Sequence, residues 1–409
     1  MKIAMVLQRP LDLLPSDSRV MREAQALAAA GHRVVIVVYW TGRGVRRESL
    51  AAGVEAVAVP MPDITGFEAM NIFRPGRPPV AGQWGRLKQL LAHRLYRRLY
   101  LRETVKVLVA EQADAYHCHD FHTLKAGALA AQARGSLLVY DSHEIFTETM
   151  AFEGLAGRLK KPLYRQMEKR LIRQAHRVIT VGEGCARFLA ARYGIPKPLV
   201  LENVADPLEE HGNSREAVRR ALGVGPEQRL LMYQGLLAPG RGLETLLETM
   251  PRLPANILLA LVGNGPSEVM LRARTGELGI RDRVRFIGMV PREQLLYWVR
   301  AADVGVIPLQ KRCLNYYYAL PNKVFECMAA GVPFAASDFP DLRRLAVEED
   351  LGVVFDPKDP ASISRAVLAL LNERPMYERK RANIVRSVAN RYNWSRVSVK
   401  LLGVYAEGR

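Results

Sequence analysis

Hydrophobic and polar positions follow two periods along this chain. Short, nearly continuous apolar runs alternate with longer segments whose apolar residues recur three and four apart. KIAMVL, HRVVIVVYW, VEAVAVP, AYHCH, LLVYDS, RVITVG and LVLEN form a first series of runs. A stretch rich in Asn, Asp, Pro, Gly and Ser interrupts the pattern near residues 203–213. The alternation then restarts with RLLMYQG, ILLALVG, RVRFIG, DVGVIPL, PFAASD and GVVFD. Runs rich in Val, Ile and Leu predict strands covered on both faces, as in a parallel sheet, with helices from the segments between. The expected fold class is α/β: two tandem doubly wound Rossmann-like domains, at 1–203 and 204–390, facing a central cleft. Ligands of such sheets bind outside the carboxyl ends of the strands, so candidate chemistry is sought there.

After the first strand, Ser16, Asp17 and Ser18 precede the helix that carries Arg19. They can cap it, and its free N–H groups suit an anion. The pattern G-x-G-x-x-G is absent, which argues against an ordinary dinucleotide site. In YHCHDFHTL, His117 and His119 share one strand face, with Asp120 and His122 beyond. That spacing is not one of a closed zinc site, and no metal is expected. LLVYDSHEIF ends in Asp141, Ser142, His143 and Glu144, which places a histidine where it can bond to a bound hydroxyl or exchange a proton with it.

The second domain repeats one plan. Gly235 ends a strand ahead of Gly240, Arg241 and Gly242. Gly263, Asn264 and Gly265 end the next, and Gly288 the one after. Glycines there let a ligand approach the backbone, and Arg241 suits an anionic group. The segment YYYALPNKVFECMAAGVP then predicts a helix with Pro321 in its first turn and Gly331 as its stop. Val324, Phe325 and Met328 share its apolar side. Asn322, Lys323 and Glu326 share the other. A carboxylate there can hold the diol of a ribose, and Lys323 with the first-turn N–H groups a diphosphate.

These segments, in order, resemble the retaining glycosyltransferases of the group 1 type (family 4), which have the GT-B fold. The matching stretches are DSRVMREAQALAAAGHRVVIV, VYDSHEIF, VITVGEGCARFL, YQGLLAPGRGLETLL, LALVGNGP and ALPNKVFECMAAGVPFAAS. The resemblance implies a UDP- or GDP-sugar donor in the second domain and a hydroxyl acceptor (glycan, lipid-linked or small molecule) in the first. It implies that Glu326 binds the donor ribose, Arg241 and Lys323 the diphosphate, and His143 the region of the transferred sugar, with no metal and no separate cofactor. Gly235, Gly240, Gly263, Asn264, Gly265, Gly288, Tyr318, Leu320, Pro321 and Asn322 fall on the donor side. Asp17, Ser18, Arg19, His119 and Asp120 fall on the acceptor side. The last helix, about 391–409, resembles the family's crossover back to the first domain. Two positions depart from the pattern: Tyr318 stands where relatives often keep an acid, and Leu236 where they often keep Arg. Other GT-B enzymes, such as an epimerase or a phosphorylase, and a non-catalytic nucleotide-sugar-binding protein are the alternatives.

Charge adds a partner. The formal net charge is +18 over 409 residues, and it is uneven. Residues 1–200 hold 30 Lys+Arg against 17 Asp+Glu, and 201–409 hold 29 against 24. Residues 74–102 contain eight Lys/Arg and no acid, with apolar residues at helical spacing. This basic amphipathic segment fits an anionic membrane surface. The basic stretches lack a recognised nucleic-acid motif, so no nucleic acid is expected. Four scattered cysteines, no run long enough to span a bilayer and no signal-peptide pattern predict a cytoplasmic protein, with peripheral attachment to the inner membrane face as its extension.

Overall fold

The computed structural model describes residues 1–61, 83–208 and 214–406, with side chains in the helix Gln83–Glu111 described from residue 95 onward. The chain forms two compact units. One comprises Met1–Val181, Cys185–Leu201 and Ser398–Arg409; the other comprises Gly182–Gly184 and Glu202–Val397.

The first unit is built on β1 (Lys2–Pro10), β2 (Arg33–Thr41), β3 (Arg46–Ala51), β4 (Val54–Met61), β5 (Ala115–His119), β6 (Leu137–Ser142), β7 (Arg177–Thr180) and β8 (Leu199–Val200). Their order in the sheet is β3-β4-β2-β1-β5-β6-β7-β8. The central strands are the most apolar. Ile3, Ala4, Met5 and Val6 of β1 are fully buried, and Met5 lies between Ile36 and His117. Helices cover both faces, so the runs stay apolar throughout rather than alternating. β3 is the exception, pairing antiparallel with β4. The apolar pattern does not predict it, because RRESLA is a polar strand at the sheet's edge, where one side meets water.

The second unit has β9 (Arg229–Gln234), β10 (Ile257–Val262), β11 (Val284–Gly288), β12 (Val304–Ile307), β13 (Phe334–Ser337) and β14 (Gly352–Phe355). The order is β11-β10-β9-β12-β13-β14, all parallel. The order reverses direction beside β9, where a doubly wound sheet opens its ligand crevice.

One expectation needs correction. Pro321 is the residue before the helix Asn322–Ala329, not within its first turn; its φ of −73° suits that extended cap position. In the segment 74–102, residues 74–82 lie outside the described residues. From residue 96 its apolar side turns inward: Tyr96 and Tyr100 are buried and pack with Met61, Tyr39 and Leu99. Burying these two large rings beside Met61, the last residue of β4, removes apolar surface from water.

Close backbone packing in the second unit makes one substitution decisive. Gly242 sits at φ +73°, and a Cβ on it would fall 1.7 Å from the carbonyl oxygen of Pro308. A left-handed alanine alone costs roughly 1–2 kcal/mol, and the clash with a main-chain oxygen adds to it. Gly242→Ala should therefore lower the melting transition of the second unit by several degrees. Calorimetry on the full chain checks this; an unchanged transition would mean the two loops can part freely.

Candidate functional site

Each unit gathers polar side chains at the carboxyl ends of its strands. In the first unit they surround Arg19, which enters on the helix Ser18–Ala29. Asp17 caps that helix by accepting from the N–H of Val20. Arg19 is 4% exposed and donates to both carboxylate oxygens of Asp141, at 2.8 and 3.1 Å, and to the carbonyl of Leu201 at 2.9 Å. Its Nε lies 3.0 Å from Glu23 Oε1 but directs its hydrogen to Asp141. Burial, against the pull of Arg19, raises the Glu23 carboxyl to about 8, so it is largely neutral at pH 7. Burial also opposes the charge on Asp141, but Arg19 and His143 outweigh it and hold Asp141 well below the usual range.

The histidines join this cluster from β5 and from the end of β6. His117 and His119 stack with ring centres 4.5 Å apart. The hydroxyl of Tyr405, from the C-terminal helix, lies 2.7 Å from His117 Nδ1. Burial lowers His117 to about 4, and burial with His117 lowers His119 well below the ordinary imidazole value. Both are neutral. His143 differs. Its Nε2 lies 3.3 Å from Asp141 Oδ2 and 3.2 Å from His119 Nδ1, and its Nδ1 lies 3.6 Å from Asp120 Oδ2. Burial disfavours its charge, but Asp120 and Asp141 outweigh that and lift it to about 9. With a carboxylate facing each ring nitrogen, His143 is an imidazolium at neutral pH.

Glu23, His117, His119 and Asp141 place possible metal-ligating atoms within 4.8 Å of one another. The cation this cluster calls for is already supplied: the Arg19 guanidinium stands among them, ion-paired to Asp141 and 3.0 Å from the Glu23 carboxyl.

Above the cluster a cavity of about 390 Å³ opens. Asp17, His119, Asp120 and His143 reach its wall, together with Arg9, Glu144 and five aromatic rings: Tyr39, Tyr96, Phe121, Phe146 and Tyr164. Ser18 and Arg19 do not line it. Arg19 lies below the floor, held by Asp141 and the carbonyl of Leu201. Asp120 holds φ +62° and ψ 162°, a conformation that a residue with a Cβ rarely adopts. This turns its carboxylate, which accepts from the N–H of His143 at 3.3 Å, toward the cavity.

In the second unit the glycines pack strand-end loops against each other. A Cβ on Gly263 would lie 2.2 Å from the carbonyl oxygen of Gly235, and one on Gly265 would lie 2.3 Å from that of Leu237. The N–H of Leu237 donates to the carbonyl of Asn264 at 2.8 Å, locking the loops together. Gly240 lies beside Arg312 and Tyr316, and Gly288 turns the chain at φ +79° after β11. Gly235 leaves room for Lys323, whose Nζ would lie 2.9 Å from a Cβ there.

Lys323 does not point into water as a solvated helix face would place it. Its ammonium sits 3.9 Å from the ring centre of Tyr233. Burial and the nearby Arg241 lower it to about 7, against Glu326. Arg241 lies over the Tyr316 ring at 5.0 Å, and its buried Nε has no hydrogen-bond partner. Two cations thus converge where an anion would relieve both. Burial raises the Glu326 carboxyl, while the nearby Gln234 amide and the charge of Lys323 pull it back; the Gln234 amide itself donates to the carbonyl of Lys323 at 3.2 Å. Leu320 is 5% exposed and offers a ligand only its backbone. Asn322 accepts from Asn203 at 3.0 Å. Tyr318 packs edge-on against Tyr317, and Leu236 is 49% exposed. Residue spacing does not reveal Gln234, Tyr233 or Tyr316, because their roles depend on what they touch across the sheet.

Comparison with known proteins gives the family. The model of "Glycosyl transferases group 1" matches residues 214–386, and that of "Glycosyl transferase 4-like domain" matches residues 17–203. A D-inositol 3-phosphate glycosyltransferase of Thermomonospora curvata is 30% identical over 333 residues, covering 74% of each chain. An uncharacterised glycosyltransferase of Methanocaldococcus jannaschii is 26% identical, over 88% of this chain and 91% of that one. Among solved structures, a sucrose-phosphate synthase of Thermosynechococcus elongatus superposes with a TM-score of 0.74 at 17% identity, covering 99% of this chain and 98% of that one. HepE of Anabaena, solved in complex with UDP-glucose, superposes with a TM-score of 0.70 at 16% identity over 99% of each. With matching models over both units and the GT-B fold of its structural neighbours, the chain belongs to the group 1 glycosyltransferases.

Proposed function

We propose that this transferase is a retaining enzyme that takes its sugar from a nucleoside-diphosphate sugar, bound in the second unit, and delivers it to a hydroxyl held in the first. The observation that carries the donor assignment is the convergence of Arg241 and Lys323, two partly buried cations without an anion between them. A diphosphate supplies that anion. Glu326, one helical turn beyond Lys323, accepts from the ribose hydroxyls. The description of HepE as a complex with UDP-glucose supports the same class of donor.

In the reaction the bond from the sugar's anomeric carbon to the diphosphate breaks and one to the acceptor oxygen forms. The departing diphosphate gains negative charge and takes the acceptor's proton. Arg241 and Lys323 stabilise that charge by position, as fixed cations do in a desolvated site. No metal is required for this step, because two side-chain cations already meet the diphosphate. In the first unit, Asp120 accepts from the acceptor hydroxyl and the His143 imidazolium holds Asp120 in place. The aromatic rings of the cavity offer flat apolar faces to a sugar ring.

Calorimetric titration with UDP and GDP, followed by NMR of the product's anomeric configuration, tests the reading. Binding of neither nucleotide would overturn the donor site. An inverted product would overturn retention, and a donor epimerised without acceptor would identify an epimerase. Glu326→Gln should weaken nucleotide binding about ten- to a hundredfold, the range for a hydrogen bond to a charged group, while leaving the melting temperature of the free protein nearly unchanged.

Lys323 gives the site a pH signature. Its folded pKa is depressed to about 7, so above pH 7 the free site loses its proton. A bound diphosphate favours the charged form and draws the proton back. The Kd for UDP should therefore rise above pH 7, approaching about tenfold per unit, with proton uptake visible as a dependence of the binding heat on the buffer. Lys323→Arg, which stays charged, should flatten the profile. A profile equally steep in that variant would assign the proton to another group.

A further inference from the structure

The helix Gly154–Ile172 carries an unusual outer face. Leu155, Leu159 and Leu163 are 79%, 74% and 63% exposed. Spaced four apart, they form one row along the helix. Arg170 and Arg173 continue the same row, at the helical spacings of seven and three. The helix holds six Lys/Arg and a single acid, Glu168. That acid is buried and bonded to Tyr140 and Tyr193, so it offsets none of the outer charge. Beyond the helix's carboxyl end lies a cavity of about 670 Å³. Its wall includes Arg173, His176, Arg177, Lys197 and Lys400 and no acidic side chain. His176 accepts the N–H of Leu138 at Nδ1, so its Nε2 carries the hydrogen and serves as a donor.

We infer that this face docks the first unit on an anionic bilayer, with the leucines entering the headgroup–acyl boundary and the basic end taking lipid phosphates. Charge decides the occupant. A second copy of the chain, seated symmetrically on this row, would set two helices of like positive charge side by side, with the basic carboxyl end of each against the other. An anionic lipid surface complements the same residues and receives the leucines. The neighbouring helix Gln83–Glu111 adds Leu95, 59% exposed, two positions from Arg97, which donates to the hydroxyl of Tyr164 at 2.7 Å. Tyr164 lines the aromatic cavity of the first unit, one residue from Leu163. A docked enzyme would hold that cavity close to the headgroups, which suits a lipid-linked acceptor. That consequence rests on the transferase reading; the docking does not.

Co-sedimentation of the full-length protein with vesicles tests docking apart from catalysis. The wild type should bind phosphatidylglycerol vesicles, not phosphatidylcholine vesicles, and release in about 0.5 M salt as the charges are screened. The triple variant Leu155→Gln, Leu159→Gln, Leu163→Gln should bind at least about tenfold more weakly. Arg170→Glu with Lys197→Glu should do the same. Both should keep the wild-type melting temperature and UDP affinity, because the substituted side chains lie on the surface outside the donor unit. Equal binding of the triple variant, or of the wild type to neutral vesicles, would overturn the proposal. So would a dimer of the wild type that the triple variant dissolves without losing vesicle binding.

Discussion

Arg19 is a guanidinium placed where water cannot reach it, and the first unit is arranged around that fact. An unpaired charge at such depth costs several kcal/mol, so it must be met from every side. Asp141 meets it from the end of β6, Glu23 from its own helix, and the carbonyl of Leu201 from the segment that leaves the unit. Asp141 in turn faces His143, and Tyr405 closes the far side through His117. One buried ion pair therefore registers the first helix, two strands, the exit segment and the last helix against one another. The geometry of His143 and Asp120 at the cavity wall is a consequence of that registration.

The two units treat buried charge in opposite ways. In the first, carboxylates surround one arginine and leave an imidazolium poised by two of them. The charges there are satisfied within the protein, so the cavity above presents rings, an aspartate and a histidine suited to neutral hydroxyls. In the second, Arg241 and Lys323 approach each other with no carboxylate close enough to keep Lys323 near its ordinary value. That arrangement is strained when empty and relieved by an anion. The contrast lies in charge placement: one unit pairs its buried charges internally, and the other brings two basic side chains together.

Much of this was legible in the sequence, for a physical reason. Parallel strands buried on both faces must be apolar at every position, so KIAMVL and ILLALVG announce themselves. Polar residues just beyond them fall at the ligand end of the sheet, which is how His143, Arg241 and Glu326 could be picked out. Edge strand β3 escaped because a half-solvated strand has no apolar run. The Arg19 cluster escaped because Asp141, His117 and Tyr405 are distant in sequence from Arg19 and Glu23 and join them only through the fold. The basic amphipathic segment 74–102 was read as a helix with one apolar side, and from residue 96 part of that side is buried. Amphipathicity says that an apolar side exists; only packing says whether a β-strand already covers it, as Met61 and its neighbours cover Tyr96 and Tyr100.

The departures at Tyr318 and Leu236 gain meaning in the same terms. Leu236 removes one cation from the donor face, and Arg241 and Lys323 remain, each within reach of an aromatic ring. A cation over a ring keeps part of its charge stabilised without a carboxylate, so it stays available to a phosphate. Tyr318 removes an anion from the same face, where its ring packs against Tyr317 and leaves no negative charge at that position. Losing one cation and one anion together preserves the local balance while replacing a charged sugar contact by an aromatic surface. On the donor reading proposed above, such a pocket would hold a diphosphate by charge and meet the sugar with rings.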